Sequence, residues 1–301
     1  KNFAGSLQGM KDLETLTFAE GVAEISSNMM VSGCSSLKTI QLPRSLKKLS
    51  QSGAFSDATA LTTITLPEKI EITGISTFSG CTALQEIELP ASITKINDYM
   101  FAGCTSLQKV TAKGTITEIG VEAFNMTSKN ANLVEIPDLS QVTTIGARAF
   151  NGCAGLKTVD LHNVTSLGAE AFYKCSALSG EIDLSGLDTI PDKAFAYDAN
   201  ITSIRFKNTL RSIGIWAFIK AGTTTIELPD TVESIGSYAF YLSKLKGTLQ
   251  LPDSLKTLGD NAFKKCTGIE EVETGSNLTT IPSGAFDGCT SLTKDTVDNS
   301  Q

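Results

Sequence analysis

Phenylalanine returns along this chain at a nearly constant step. It stands at Phe55, Phe78, Phe101, Phe124, Phe150, Phe172, Phe195, Phe218, Phe240, Phe263 and Phe286, with steps of 23, 23, 23, 26, 22, 23, 23, 22, 23 and 23 residues. Val31 and Leu7 fill the same slot, each 24 residues ahead of the next. A fixed period in the twenties marks a solenoid, in which each turn buries its apolar side only against its neighbours. The repeat therefore overrides the two globular domains that 301 residues would suggest. Residues 1–301 read as one elongated domain of about twelve to thirteen turns of ~23 residues.

The turn from Phe78 to Phe101 shows how the period is used. Leu84, Ile87 and Leu89 alternate with Glu86 and Glu88, which is the spacing of a short strand with the carboxylates outward. Proline follows the strand in five turns, at Pro43, Pro67, Pro90, Pro229 and Pro252, where its missing N–H cannot damage a ladder. Apolar residues eight and five positions before each Phe then turn the chain back. Four before Phe, seven turns carry glycine and two carry Pro191 and Pro282, so this column cannot demand positive φ. Proline is also welcome at the first position of a helix. A one-turn helix is expected to start there and run through Ala-Phe, opposite the strand. Each Phe should stack on those of the adjacent turns.

The pattern Leu-x-x-Ile-x-Leu-Pro…Ile-Gly-x-x-Ala-Phe-x-x-Cys, clearest in Leu84 to Cys104 and Leu249 to Cys266, resembles the BspA-like (Treponema-type) leucine-rich repeat. The resemblance runs from about Leu7 to Leu292. It implies a right-handed superhelix with parallel strands lining a concave face. Together with the inferred helical turns, this makes the expected fold an α/β repeat solenoid. The resemblance also implies a place on the surface of a host-associated microbe and a role in adhesion, with a host or neighbouring-cell protein or glycan as partner.

The chain opens Lys1-Asn2, and no polar cap is evident at either end, so it reads as part of a longer surface protein whose signal and anchor lie elsewhere. Lys294 to Gln301 reads as a frayed polar tail. The 26-residue step carries an insertion, Met126 to Asn132, at the entry to a strand, which is either a binding loop or surface drift.

All seven cysteines, Cys34, Cys81, Cys104, Cys153, Cys175, Cys266 and Cys289, stand three residues after the Phe slot, where other turns have Met, Ala, Thr, Asp or Ser. That is a small packing column of free thiols, not a disulfide framework. His162 is the single histidine and falls in the slot where other turns have proline. It has no partners in sequence for a triad or metal site. No catalytic residue, cofactor or metal is expected. The acidic pairs Glu86/Glu88, Glu181/Asp183 and Glu271/Glu273 could approach Ca²⁺ but read as a solvated face. A net charge of −7 disfavours nucleic acid. No apolar run reaches the ~20 residues of a membrane span.

Two faces remain as candidates for binding. Of 24 outward strand slots nine are Thr and nine are acidic (Glu86, Glu88, Glu135, Asp160, Glu181, Asp183, Glu227, Glu271 and Glu273), with Lys109 and Arg205 the only bases. The threonines also suit an exposed strand for their β-branching alone. Tyr173, Tyr197, Trp216, Tyr238 and Tyr241 flank the Phe slot in consecutive turns, as a contact patch or as an outward extension of the core. The reading reached is a non-enzymatic, extracellular binding module. The alternative is a structural spacer or self-association array displaying another domain.

Overall fold

The computed structural model describes residues 1–126 and 132–296, and of 294–296 the backbone alone. The chain divides into two compact units, Lys1–Leu156 and Lys157–Gln301. Each is a parallel β-solenoid of leucine-rich-repeat type built from the same turn. Five of the insertion residues, 127–131, lie outside the described residues.

Each unit carries two parallel ladders. The first is the strand read from the sequence. In unit 1, Thr15–Thr17 pairs with Thr39–Gln41 and Glu86–Leu89 with Lys109–Ala112. In unit 2, Ser179–Leu184 pairs with Asn200–Phe206, and Lys246–Gln250 pairs with Gly268–Glu273. The burial of Glu86–Leu89 alternates as expected, with Ile87 and Leu89 inside and both glutamates exposed. Gly268–Glu273 is also paired on its other side with Lys294–Thr296, so the first part of the expected frayed tail is a strand.

The second ladder was not anticipated. Residues six and five before Phe form two-residue rungs in the middle turns: Lys95–Ile96, Glu118–Ile119 and Thr144–Ile145 in unit 1, and Thr189–Ile190, Ser212–Ile213, Ser234–Ile235 and Thr257–Leu258 in unit 2. Lys48–Leu49 and Glu71–Ile72 form them one residue earlier, before Phe55 and Phe78. The apolar residue five before Phe thus faces the core from a strand, and is not merely a corner.

The third side contains no helix among the described residues, and the reason lies in the backbone. The residue two before the Phe slot has positive φ in every turn from Met29 (48°) to Asn261 (58°), and Gly284 continues the series at 76°. Two after the slot, Gly80, Gly103, Lys174, Lys220 and Lys265 are among those with φ of 59–73°. A right-handed helix cannot pass through left-handed residues. The N–H groups alternate instead. Those at −2, 0 and +2 reach the next turn, as in Tyr99 to Val121 O, Phe101 to Ala123 O and Gly103 to Asn125 O, at 2.8–2.9 Å. Those at −1, +1 and +3 fold back three residues, as in Met100 to Asn97 O, Ala102 to Tyr99 O and Cys104 to Phe101 O, at 3.1–3.2 Å. A left-handed non-glycine residue costs about 1–2 kcal/mol. Each hydrogen bond returns about 0.5–1.5 kcal/mol net, so the ladder roughly offsets the strain, and burial of the ring decides the matter.

That burial is nearly complete. Phe55 to Phe150 in unit 1 are fully enclosed and stacked, with centroids 5.1–5.7 Å apart and planes within 29°. Phe172 to Phe286 form the matching run in unit 2, at 5.2–5.7 Å and within 16°, and Phe286 is only half-buried. Alanine before Phe is buried wherever it occurs, so adjacent turns close up over it. Glycine four before Phe is there for room: a Cβ on Gly74 would lie 2.0 Å from the Gln51 carbonyl oxygen.

The cysteine column is fully part of the core. All seven thiols are free and buried. Cys81, Cys104 and Cys266 donate to the carbonyl of the Phe one turn earlier, Phe55, Phe78 and Phe240, at 3.1 Å. Burial pushes the Cys81 and Cys266 thiols up to about 12. Asp198 occupies the same column between Cys175 and Ala221, wholly buried, and neither carboxyl oxygen has a hydrogen-bond partner. Burial raises its pKa well above the usual carboxylate range, opposed only by the backbone N–H of Cys175, which already donates to Phe172 O. Only a protonated carboxyl can donate to the Phe carbonyl as the thiols do.

Two predictions follow from this core. Phe195→Ala should cost about 3–5 kcal/mol in denaturant unfolding, the range for a fully buried Phe, and Phe286→Ala clearly less. Asp198 has its pKa raised in the folded chain, so the folded state holds a proton that the unfolded chain releases above pH ~4. Its contribution to stability is greatest below that pH and declines as pH rises. Asp198→Cys should therefore raise the melting temperature, and by more at pH 7.5 than at pH 4.5. An equal gain at both would show that the carboxyl is not titrating in the core.

Candidate functional site

The outward residues of the strands come together in two clusters, one in each unit. In unit 1, Glu86, Lys109 and Glu135 lie side by side on successive turns, and Lys109 Nζ meets Glu135 Oε1 at 2.9 Å. The hydrogen bond that Lys109 donates to Glu135, with the charges of Glu135 and Glu86, holds its ammonium above its usual pKa. Lys113 leaves the strand end to bridge Glu68 and Glu88, at 2.6 and 3.2 Å. Glu68, Glu86, Glu88, Lys109 and Lys113, with Thr63, Thr65 and Thr111, line a shallow depression of about 360 Å³.

In unit 2, Arg205 sits between Glu181, at 2.6 Å, and Asp183, at 3.7 Å. Burial works against ionisation of Asp183, but the hydroxyl and N–H of Ser185 and the Arg205 guanidinium together hold its pKa below the usual value. Lys207 pairs with Asp188 at 3.0 Å, and Thr209 donates to the same carboxylate. Glu181, Ser203, Arg205, Lys207, Thr225 and Glu227 are among the residues around an open depression of about 990 Å³. Gln250 donates to Glu273, and Glu271 lies half-buried beside it in register with Thr248.

The sequence reading put these acidic residues outward on the strands and did not anticipate the bases that neutralise them. Lys113 and Lys207 lie just past the strand ends and cross back onto the face. Two basic residues a few positions beyond an acidic slot are a weak signal until the register between turns is known.

One expectation about position changes. Leu161, not His162, holds the proline slot, since Val164 N–H bonds Leu161 O as Ile93 N–H bonds Pro90 O. His162 stands one residue further on, with Nδ1 2.5 Å from Asp160 Oδ1 and Nε2 2.8 Å from Asn163 Nδ2. Asp160 is therefore tied to its own loop. Among the described residues no three of His, Cys, Asp or Glu converge as a metal site would require.

The aromatic residues gather on the side opposite the strands, in unit 2. Tyr173 meets Tyr197 edge-on at 5.5 Å, Trp216 meets Tyr238 at 6.0 Å, and Tyr238 meets Tyr241 at 5.6 Å. All five are half-buried, and Ile215 and Leu242 beside them are exposed. Lysines lie over the rings: Lys174 over Tyr173 at 4.8 Å, Lys220 over Tyr197 at 5.1 Å and Lys193 over Trp216 at 5.8 Å. The rings neither join the Phe stack nor stand clear of the surface.

No helix among the described residues is long and apolar enough to cross a membrane. Comparison with solved structures finds the same fold. A leucine-rich repeat protein from Bacteroides ovatus is 22% identical with a TM-score of 0.56, over 95% of this chain and 84% of that one. A leucine-rich cell surface protein from Faecalibacterium prausnitzii is 22% identical with a TM-score of 0.52, over 97% and 88%. The pneumococcal vaccine antigen PcpA is 19% identical with a TM-score of 0.52, over 95% and 78%. No curated protein matches the sequence. The description of the BspA type leucine-rich repeat region, in six copies, matches residues 5–131, 126–246 and 188–301. With that repeat across its length and the matching turn in both units, the chain belongs to the BspA-type leucine-rich repeat family.

Proposed function

We propose that this chain is a non-catalytic binding module displayed outside the cell, and that it adheres to a host protein, matrix component or glycan through its strand face. The observation that carries the reading is the pair of charged ladders, Glu86–Lys109–Glu135 and Glu181–Arg205–Asp183, each set at the edge of an open depression. In unit 1 such a face offers charge that alternates from turn to turn, in unit 2 a base on one turn against two carboxylates on its neighbour, with threonine hydroxyls nearby. It lacks Trp and Tyr, which anchor tight protein complexes, so the contact it supports is polar. The thiols that could serve as nucleophiles are buried in the core. The cell-surface description of the Faecalibacterium prausnitzii protein and the antigen description of PcpA support an extracellular setting.

The test is binding of the purified chain to immobilised matrix proteins and mucin-type glycans, compared with Glu181→Lys/Asp183→Lys. Reversing both carboxylates leaves Arg205 beside two like charges. Binding should fall about tenfold or more and weaken with added salt. Binding that is unchanged in the double variant removes the strand face of unit 2 from the reading. No binding by either chain favours the spacer.

A further inference from the structure

The position two residues after Phe has left-handed backbone in almost every turn, and outside one region glycine fills it in every such turn but that of Asp57 (φ 56°). Gly9, Gly33, Gly80, Gly103 and Gly152 hold it in unit 1, and Gly288 holds it near the end of unit 2. Between them, five consecutive turns place Lys174, Tyr197, Lys220, Leu242 and Lys265 there, with φ of 60°, 72°, 61°, 60° and 59°. Glycine would satisfy the same hydrogen bonds without strain, since the N–H of Gly80 bonds the next turn just as that of Lys220 does. Five side chains in succession that work against their own backbone are a reason to look for what they contact outside the chain.

Their chemistry alternates. Lysine stands on every second turn and an apolar side chain stands between. Lys174, Lys220 and Lys265 are exposed, and among the described residues none has a carboxylate within ion-pairing distance. Lys174 and Lys220 lie instead over the ring of Tyr197, at 5.8 and 5.1 Å. The adjoining rings of Trp216, Tyr238 and Tyr241 widen the apolar strip. In a chain of net charge −7 these are cations without an ion-pair partner among the described residues; aromatic faces hold Lys174 and Lys220, and Lys265 acts on Asp287 through its charge alone.

We propose that this belt binds an anionic polysaccharide that carries a carboxylate on every second sugar. Parallel turns advance by ~4.8 Å, close to the advance of one pyranose along an extended chain. A carboxylate on alternate sugars would then meet a lysine on alternate turns, while the sugar between lays its C–H face on Tyr197 or Leu242. Aromatic rings and ammonium groups together suit a ligand that is apolar on its ring faces and charged at its edges. An acidic peptide offers no such alternating C–H face. The inference shares with the proposed function only the premise of a binding module, and it concerns a different face.

The experiment titrates the full chain with hyaluronan, with neutral dextran and with poly-glutamate. Wild type should bind hyaluronan, in a salt-sensitive manner, and bind the other two far more weakly. Lys174→Gly/Lys220→Gly/Lys265→Gly should lower hyaluronan affinity about tenfold or more. The same variant should melt no lower than wild type, because glycine relieves the backbone at each site. Tyr197→Gly should weaken binding in the same way, and Glu181→Lys/Asp183→Lys should leave it intact, so the two faces fail separately. The proposal is overturned by absent hyaluronan binding, by binding that survives the triple variant, by poly-glutamate binding as tight as hyaluronan, or by self-association that the triple variant abolishes.

Discussion

The amides around each phenylalanine have no helix to serve them and no regular strand, and their hydrogen bonds decide the shape of the turn. Buried N–H groups must find an acceptor. Here they alternate between a carbonyl three residues back and one in the next turn, and that alternation forces left-handed backbone on both sides of the ring. An isolated turn could not hold this conformation, since the strain of its left-handed residues is matched only by bonds to a neighbour. Stacking is therefore a condition for the local structure as well as for burial of the ring. The spacing is fixed around the ring, where a slip would move every donor off its acceptor. Steps of 22 to 26 residues are absorbed elsewhere in the turn, since Phe124 N–H still meets Ala149 O and Phe218 N–H still meets Ala239 O.

Much of this was legible in the sequence. The Phe column, the alternating strand, the proline after it and the free thiols all follow from burial and from which positions tolerate which side chains. The helix did not survive, for a specific reason. Ala-Phe preceded by Gly or Pro is compatible with a helical turn and with a three-residue turn alike, and the spacing of apolar residues does not separate them. The signal that does separate them is the scatter of Gly53 and Gly284 two before the slot, and of Gly33, Gly80, Gly103 and Gly152 two after it. Those columns look irregular because Lys, Tyr, Trp and Glu share them, yet left-handed backbone is what their glycines have in common. The glycines four before the slot are far more regular and were easier to see, but they mark a close approach of chains.

The column three after Phe shows how narrow the core's tolerance is. It accepts a thiol because Cys is small, weakly polar and able to give its hydrogen to a carbonyl one turn away. Ser243 keeps a polar contact there through Cys266 Sγ at 3.1 Å, and Ala221 needs none. Asp198 alone brings a second oxygen and a charge that no neighbour answers. The same geometry that makes cysteine inert makes aspartate a source of pH dependence, and the difference is one of hydrogen-bond inventory, not of volume.

The two surfaces differ in what a partner would have to displace. On the strand face nearly every base already lies against a carboxylate of an adjacent turn. Exposed pairs of this kind are worth about 0–1 kcal/mol each, so a ligand can exchange them at small cost but gains little from each exchange. Selectivity there must come from the pattern of charge over several turns. On the opposite side Lys174 and Lys220 rest on aromatic rings with no carboxylate in ion-pairing distance among the described residues, while Lys193 and Lys264 pair with Glu170 and Asp287. An anion approaching them meets cations already held in place, with apolar surface beside each one. Affinity per contact should therefore be higher on the turn side than on the strand side, although the regular sheet draws the eye first.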